Sequence, residues 1–335
     1  MTIIFADSFE SLTTATLRAR YDDAGLNAAI STTYFRTGAR ALGLPAGYHV
    51  TKNITATAGI VVGGCFMRSS GGGAQWTNMI TLLTGATQVV TLKHGPAASP
   101  NTLELLLGAV GSEVALGNWV HDWSYLTWHY IELVFTMADS GGIAQVWVDG
   151  ILRIAYAGDT KPAGDTTFNR VRLQGTNTNM ANHYVDDFYI GTARLGPLRI
   201  YGLLPNGDGA KSEWTPSAGA NYECVDEIGP NDDTDTVSAG AVGLTDLYTV
   251  AGLAAGTRKV LAVQESLRAK ASDASARSIA AVISQGGVES AGGELVLTTA
   301  YATHYQMWET TNPATGLPWT RADIAAAQWG VKVTV

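Results

Sequence analysis

W-H-Y-I-E-L-V-F-T at 128–136 and A-Q-V-W-V-D-G at 144–150 decide the fold. The first is strand-like, and the second alternates inward apolar residues with outward ones, the period of a strand with one buried face. Asp149-Gly150 separates the second run from I-L-R-I-A-Y (151–156). An Asp-Gly pair between alternating runs signals a tight hairpin, because both residues accept positive φ. Asp149 is therefore read as a turn former. Ala138-Asp139-Ser140-Gly141-Gly142 lies between the first two runs, where a hairpin again needs turn residues. D-S-G-G also echoes a serine-protease nucleophile loop, but no His and buried Asp are patterned around it. It reads as a turn.

Working outward, strand-like runs recur at 3–10, 39–44, 58–68, 78–84, 88–93, 102–108, 169–175 and 184–190. Their spacing predicts an antiparallel sandwich. The run at 184–190, Y-V-D-D-F-Y-I, carries adjacent aspartates, Asp186 and Asp187. On a regular strand neighbours point to opposite faces and cannot pair. One is expected at solvent or capping backbone, the other in a loop network.

G-T-A-R-L-G-P-L (191–198) reads as a junction between domains at 1–194 and 199–335. Beyond it, an Asp-, Asn-, Pro- and Gly-rich stretch runs from Y-G-L-L-P-N-G-D-G (201–209) to about residue 246. Strands are expected at 258–271, 277–285, 293–300 and 305–310. Residues 267–282 are Ala-rich, but a hairpin turning at S-D-A-S is preferred to a helix. One short helix is expected at 319–330, with Thr320 as N-cap, Asp323 at N3 and Gly330 as its stop. The fold class is all-β: two jelly-roll-like β-sandwiches with one short helix near the C-terminus.

A chain of 335 residues exceeds the usual span of one core, and 46% hydrophobic with 15% charged residues suits buried cores rather than disorder. The net charge is −8, with 9 basic against 15 acidic residues after position 196. No basic stripe is available for a phosphate backbone, so nucleic acid is not an expected partner. No apolar run spans a bilayer, so no membrane is expected either. The N-terminus lacks a basic, then apolar, leader, and Cys65 and Cys224 form no disulfide framework. Folding in a reducing cytoplasm is the expectation.

Two resemblances add to this reading. F-A-D-S-F-E (5–10), Arg36-x-Gly38-x-x-Ala41-Leu42, W-H-Y-I-E-L-V-F, G-I-A-Q-V-W-V-D-G and Y-V-D-D-F-Y-I resemble the concanavalin A-like, laminin-G-like jelly rolls, over about 1–192. The second domain is similar to a module recurring at the C-terminus of predicted bacteriophage structural proteins. Its words are L-L-P-N-G-D-G, S-E-W-T-P-S-A-G, V-D-E-I-G-P-N-D-D-T-D, W-E-T-T-N-P-A-T-G-L-P-W-T and Ala326-x-x-Trp329-G-V-K-V. Together they imply a phage virion protein of the tail-fibre, tail-tip or head-decoration kind. Other virion proteins would be its partners. A homo-oligomer, such as a trimer, would be usual for such a part.

Few residues speak for chemistry. The six histidines form no H-x-H or H-x-x-x-H pair, and no G-x-S-x-G elbow, Walker loop or Rossmann fingerprint is present. Sandwich glycosidases need two carboxyls flanking the scissile bond, and the alternating E-x-D-x-E of jelly-roll enzymes is missing. The chain is read as no enzyme. No cofactor is required; calcium is the metal its oxygen ligands would suit, at Asp226, Glu227, Asp232, Asp233 and Asp235 or at Asn206–Gly209. Asx-rich turns explain both patches equally well. W-V-H-D-W-S-Y (119–125) offers Trp119, His121, Asp122, Trp123 and Tyr125 as a sugar-stacking platform. The competing reading packs those rings on the core or a neighbouring subunit. The main expectation is a structural virion subunit, with adhesion to a host-surface glycan as the alternative.

Overall fold

The computed structural model describes all residues except 1, 26, 46, 70–75, 96–100, 163, 176–181, 254 and 257–258. Two compact units divide it, Met1–Gly202 and Leu203–Val335. Among the described residues no helix is long and apolar enough to cross a membrane. All-β architecture is confirmed: strands dominate, and among the described residues the one α-helix is Arg321–Ala326.

The first unit is a sandwich of two antiparallel sheets. One runs Ile151–Gly158, Gly142–Val148, His129–Thr136, Gly59–Arg68, His183–Gly191, Ala41–Leu44, Ala29–Ser31, with Ile3–Asp7 also paired to His183–Gly191. The other runs Val114–Val120, Thr102–Leu107, Thr87–His94, Thr77–Thr84, Phe168–Gln174, His49–Thr57, Asp23–Ala24. Inward residues such as Ile131, Leu133, Phe135, Val146, Val90 and Leu92 are fully buried. The hairpin at 148–151 forms as its sequence predicts, with Asp149 at φ 50° and Gly150 at φ 83°. Asp149 also accepts the Tyr130 N–H, at 2.8 Å. D-S-G-G is the connection between the paired strands His129–Thr136 and Gly142–Val148.

Asp186 and Asp187 take the expected parts, one capping backbone and one in a loop network, but neither faces solvent and they are not kept apart on opposite faces. Both are fully buried, and both serve the same segment. The pairing register shifts between Asp186 and Tyr189, and Asp187 sits at φ 51°, so a bulge replaces regular alternation. Asp186 accepts the backbone N–H groups of Arg36 and Thr37. Asp187 accepts the Arg36 guanidinium, the Thr37 hydroxyl and the Ile200 N–H. The pair anchors loops.

In the second unit the main sheet runs Pro205–Ser212, Thr245–Val250, Gln328–Val333, Ser278–Gln285, Val288–Ala291, with Leu295–Val296 also on Ser278–Gln285. A two-stranded ribbon, Val263–Ala269 with Ala302–Trp308, packs on it through a core of Ile283, Trp308, Trp319, Ile324 and Trp329. Asn206–Gly209, expected in a loop, lies on the edge strand Pro205–Ser212, where Asn206 accepts the Thr249 hydroxyl and Asp208 the Tyr222 N–H. The segments at 263–269 and 278–285 are strands as preferred, but they are not paired with each other: each joins a different sheet. Residue 258, where the first of these was expected to begin, lies outside the described residues.

Thr320 caps the helix as expected, with a reciprocal bond to Asp323. Gly330 does not stop it. The helix ends at Ala326, and Gly330 lies in Gln328–Val333, where a Cβ would stand 1.8 Å from the Asp246 carbonyl oxygen. Glycine is there for close strand approach.

Candidate functional site

Antiparallel pairing gathers one set of strand ends at one end of the first unit. Gly59–Arg68, Thr87–His94 and Val114–Val120 finish there; His129–Thr136 and His183–Gly191 begin there. Arg68, His94, Asn101, Trp123, Tyr125 and His183 line a recess at this end. It measures about 350 Å³ out to open solvent but holds only about 20 Å³ of enclosed space. The smaller value suits one small polar group rather than a ring.

Rings form its wall. Trp123 stacks on His121 at 4.1 Å and on His129 at 4.1 Å. Two rings at that distance cannot share one face, so the indole is sandwiched. His94 lies 4.9 Å from His121, 5.6 Å from Trp123 and 5.9 Å from His183, centroid to centroid. His129 is oriented by Asp149 at 2.8 Å, so the hairpin turn also fixes this wall.

Hydrogen bonds assign the imidazole tautomers. Arg68 Nη1 donates to the Gly95 carbonyl at 3.1 Å and to His94 Nε2 at 3.3 Å. An arginine can only donate, so His94 carries its proton on Nδ1. Trp123 N–H donates to His121 Nδ1, leaving the His121 proton on Nε2. Burial pushes His183 down to about 3 and His121 to about 4, and holds His94 well below the usual imidazole range. Nearby positive charge, Arg68 included, adds to each shift. All three are neutral at pH 7.

Among the described residues, His94 Nδ1, both His183 ring nitrogens, Arg68 Nε and Asn101 Oδ1 are buried without a hydrogen-bond partner. Such atoms each cost about 1–3 kcal/mol when left unpaired, and their concentration at one recess is unusual for a core. Neutral imidazoles beside a fixed cation and a tyrosine can bind hydroxyls and can also accept or donate a proton.

The predicted platform residues divide. Trp119, His121 and Trp123 come together, but as packed wall: Trp119 meets His121 at 5.3 Å and Trp123 at 5.7 Å, with Arg153 over it at 4.6 Å. Asp122 is exposed, and Tyr125, 40% exposed, lies at the mouth with the Arg68 guanidinium 5.9 Å from its ring centre. Arg68, His94, Asn101 and His183 were not singled out in the sequence. Their signal is position at strand ends: His94 directly follows one predicted strand, and His183 directly precedes another. In an antiparallel sandwich such ends meet.

The proposed calcium patch does not assemble. Asp232 is bound by the Arg268 guanidinium, Asp233 by Lys270 and Tyr301, and Asp235 by the Ser217 hydroxyl. Those cations already neutralise two of the five acids, Asp226 and Glu227 completing the set. No group of three or more His, Cys, Asp or Glu among the described residues is placed to hold a metal ion.

No protein-family model and no curated protein matches the chain. Among solved structures, the T. cruzi calreticulin globular domain is similar at a TM-score of 0.42 and 15% identity, over 58% of this chain and 89% of that one. The alginate lyase Aly36B is similar at 0.43 and 10% identity, over 58% and 98%. Carbohydrate binding module CBM66 from Bacillus subtilis is similar at 0.34 and 8%, over 50% and 94%. The reading of the chain as no enzyme is corrected by this comparison, because a lyase stands among the similar chains.

Proposed function

We propose that the first unit binds a glycan at the recess of Arg68, His94, Asn101 and His183. One observation carries this reading: buried donors and acceptors without partners sit beside an exposed aromatic ring. A saccharide offers both complements, hydroxyls for the polar atoms and an apolar ring face for Tyr125. The small enclosed space puts the sugar ring at the mouth, with one substituent inside. Single-site affinity would be weak, and several copies would add avidity.

Calorimetric titration of the intact chain with a panel of neutral and acidic oligosaccharides tests the reading. Binding that Tyr125→Ala weakens about ten-fold without lowering the melting temperature supports it. Absence of binding to every saccharide in the panel sinks it. The phage setting, in which this unit would meet a host surface and other virion proteins, is supported by the sequence words of the second unit. Peptides of this chain in purified particles would test it.

A further inference from the structure

On the reading of the recess as a glycan site, we infer that the sugar unit it takes carries an anionic group, received by Arg68. Arg68 is 7% exposed and lines the recess. Three half-buried arginines of this sandwich each hold a carboxylate: Arg20 holds Asp7, Arg36 holds Asp187, and Arg194 holds Glu132. Arg170 and Arg172 hold none, but they bond instead to Asn53, the Gly85 carbonyl and Thr51, and neither is as buried as Arg68. Arg68 has no carboxylate partner among the described residues. Its neighbours are a carbonyl oxygen, a neutral imidazole and the Tyr125 ring. A buried cation without a counter-ion is costly, and an incoming anion would relieve that cost.

The unpaired atoms point the same way. Arg68 Nε and His94 Nδ1 are donors, and neutral His183 adds one more donor and one acceptor. Asn101 Oδ1 is the other acceptor. Donors thus outnumber acceptors around a positive charge, the complement of a carboxylate or sulfate oxygen rather than of a hydroxyl alone. Among the described residues, no acidic side chain lines the recess to repel it. The enclosed space admits one such group while the sugar ring remains at Tyr125.

The test titrates the intact chain with four probes: a uronate oligosaccharide, its methyl ester, a sulfated oligosaccharide and a neutral oligosaccharide. The expected result is binding of the uronate or the sulfated probe about ten-fold tighter than the ester and neutral probes. Whichever acid binds identifies the anion. Arg68→Gln should reduce acid binding to the neutral level. The ester comparison on the unmodified chain stands even if that variant fails to fold. Neutral or ester probes binding as tightly as the acids overturn this inference and leave the glycan reading standing. Failure of all four probes overturns both.

Discussion

His183 provides the sharpest test of the recess. It is 1% exposed, and folding lowers its pKa from 6.5 to about 3, chiefly through burial and secondarily through Arg68. The unfolded chain is then the better proton acceptor at this site. The contribution to stability is complete above pH 6.5 and is lost as pH falls toward 3. Between pH 7 and pH 5 that loss is about 2 kcal/mol, at ~1.4 kcal/mol per pH unit below the unfolded value. Burial moves Asp186 the other way, up to about 7, so an acid titration of the intact chain mixes opposing signs. Comparing the parent chain with His183→Leu removes that complication, because Asp186 titrates in both. Leu leaves no unpaired polar atom, so the variant should lie within about 1.5 kcal/mol of the parent at pH 7. Urea unfolding at pH 7 and pH 5, read by hydrogen exchange of peptides covering 129–136 and 183–191, measures each stability. The parent should lose about 2 kcal/mol more than the variant over this interval. Parallel losses in the two proteins would refute the idea of a buried, neutral His183.

Trp123→Ala removes the indole between His121 and His129, and should cost the first unit about 2–3 kcal/mol in urea unfolding. Stability unchanged by that substitution would return the ring to the role of a free sugar platform. Gly330→Ala brings a Cβ against the Asp246 carbonyl, a backbone atom that cannot yield, and should cost the second unit about 3 kcal/mol or more, seen as a lowered melting temperature. Asp246, fully buried, accepts the Trp214 N–H, the Asn221 amide and the Tyr248 hydroxyl. Asp246→Ala should therefore destabilise the second unit by about 3 kcal/mol, by leaving three donors unpaired. Retention of the parent's unfolding midpoint would contradict it.

Local chemistry was legible in the chain itself. Strand character at 128–136, alternation at 144–150, the Asp149-Gly150 turn and the Thr320–Asp323 cap each depend on residues close in sequence, and each formed as read. Pairing across long separations was not legible. The strands at 263–269 and 278–285 joined separate sheets because burial of Trp308 and Ile283 in one core, not chain proximity, chose their partners. Gly330 looked like a helix stop until the approach of the Asp246 carbonyl gave it a different purpose. The bulge at Asp187, which turns two adjacent acids onto one loop, is likewise a product of tertiary contacts with Arg36 and Thr37. The recess follows the same rule. His94, His183 and Arg68 are far apart in the chain and carry no motif; antiparallel topology alone places their strand ends together. Sequence fixes which face of a strand is apolar, because that period is local. Which ends meet, and that the buried Arg68 is left without an acid, depends on the closed sandwich.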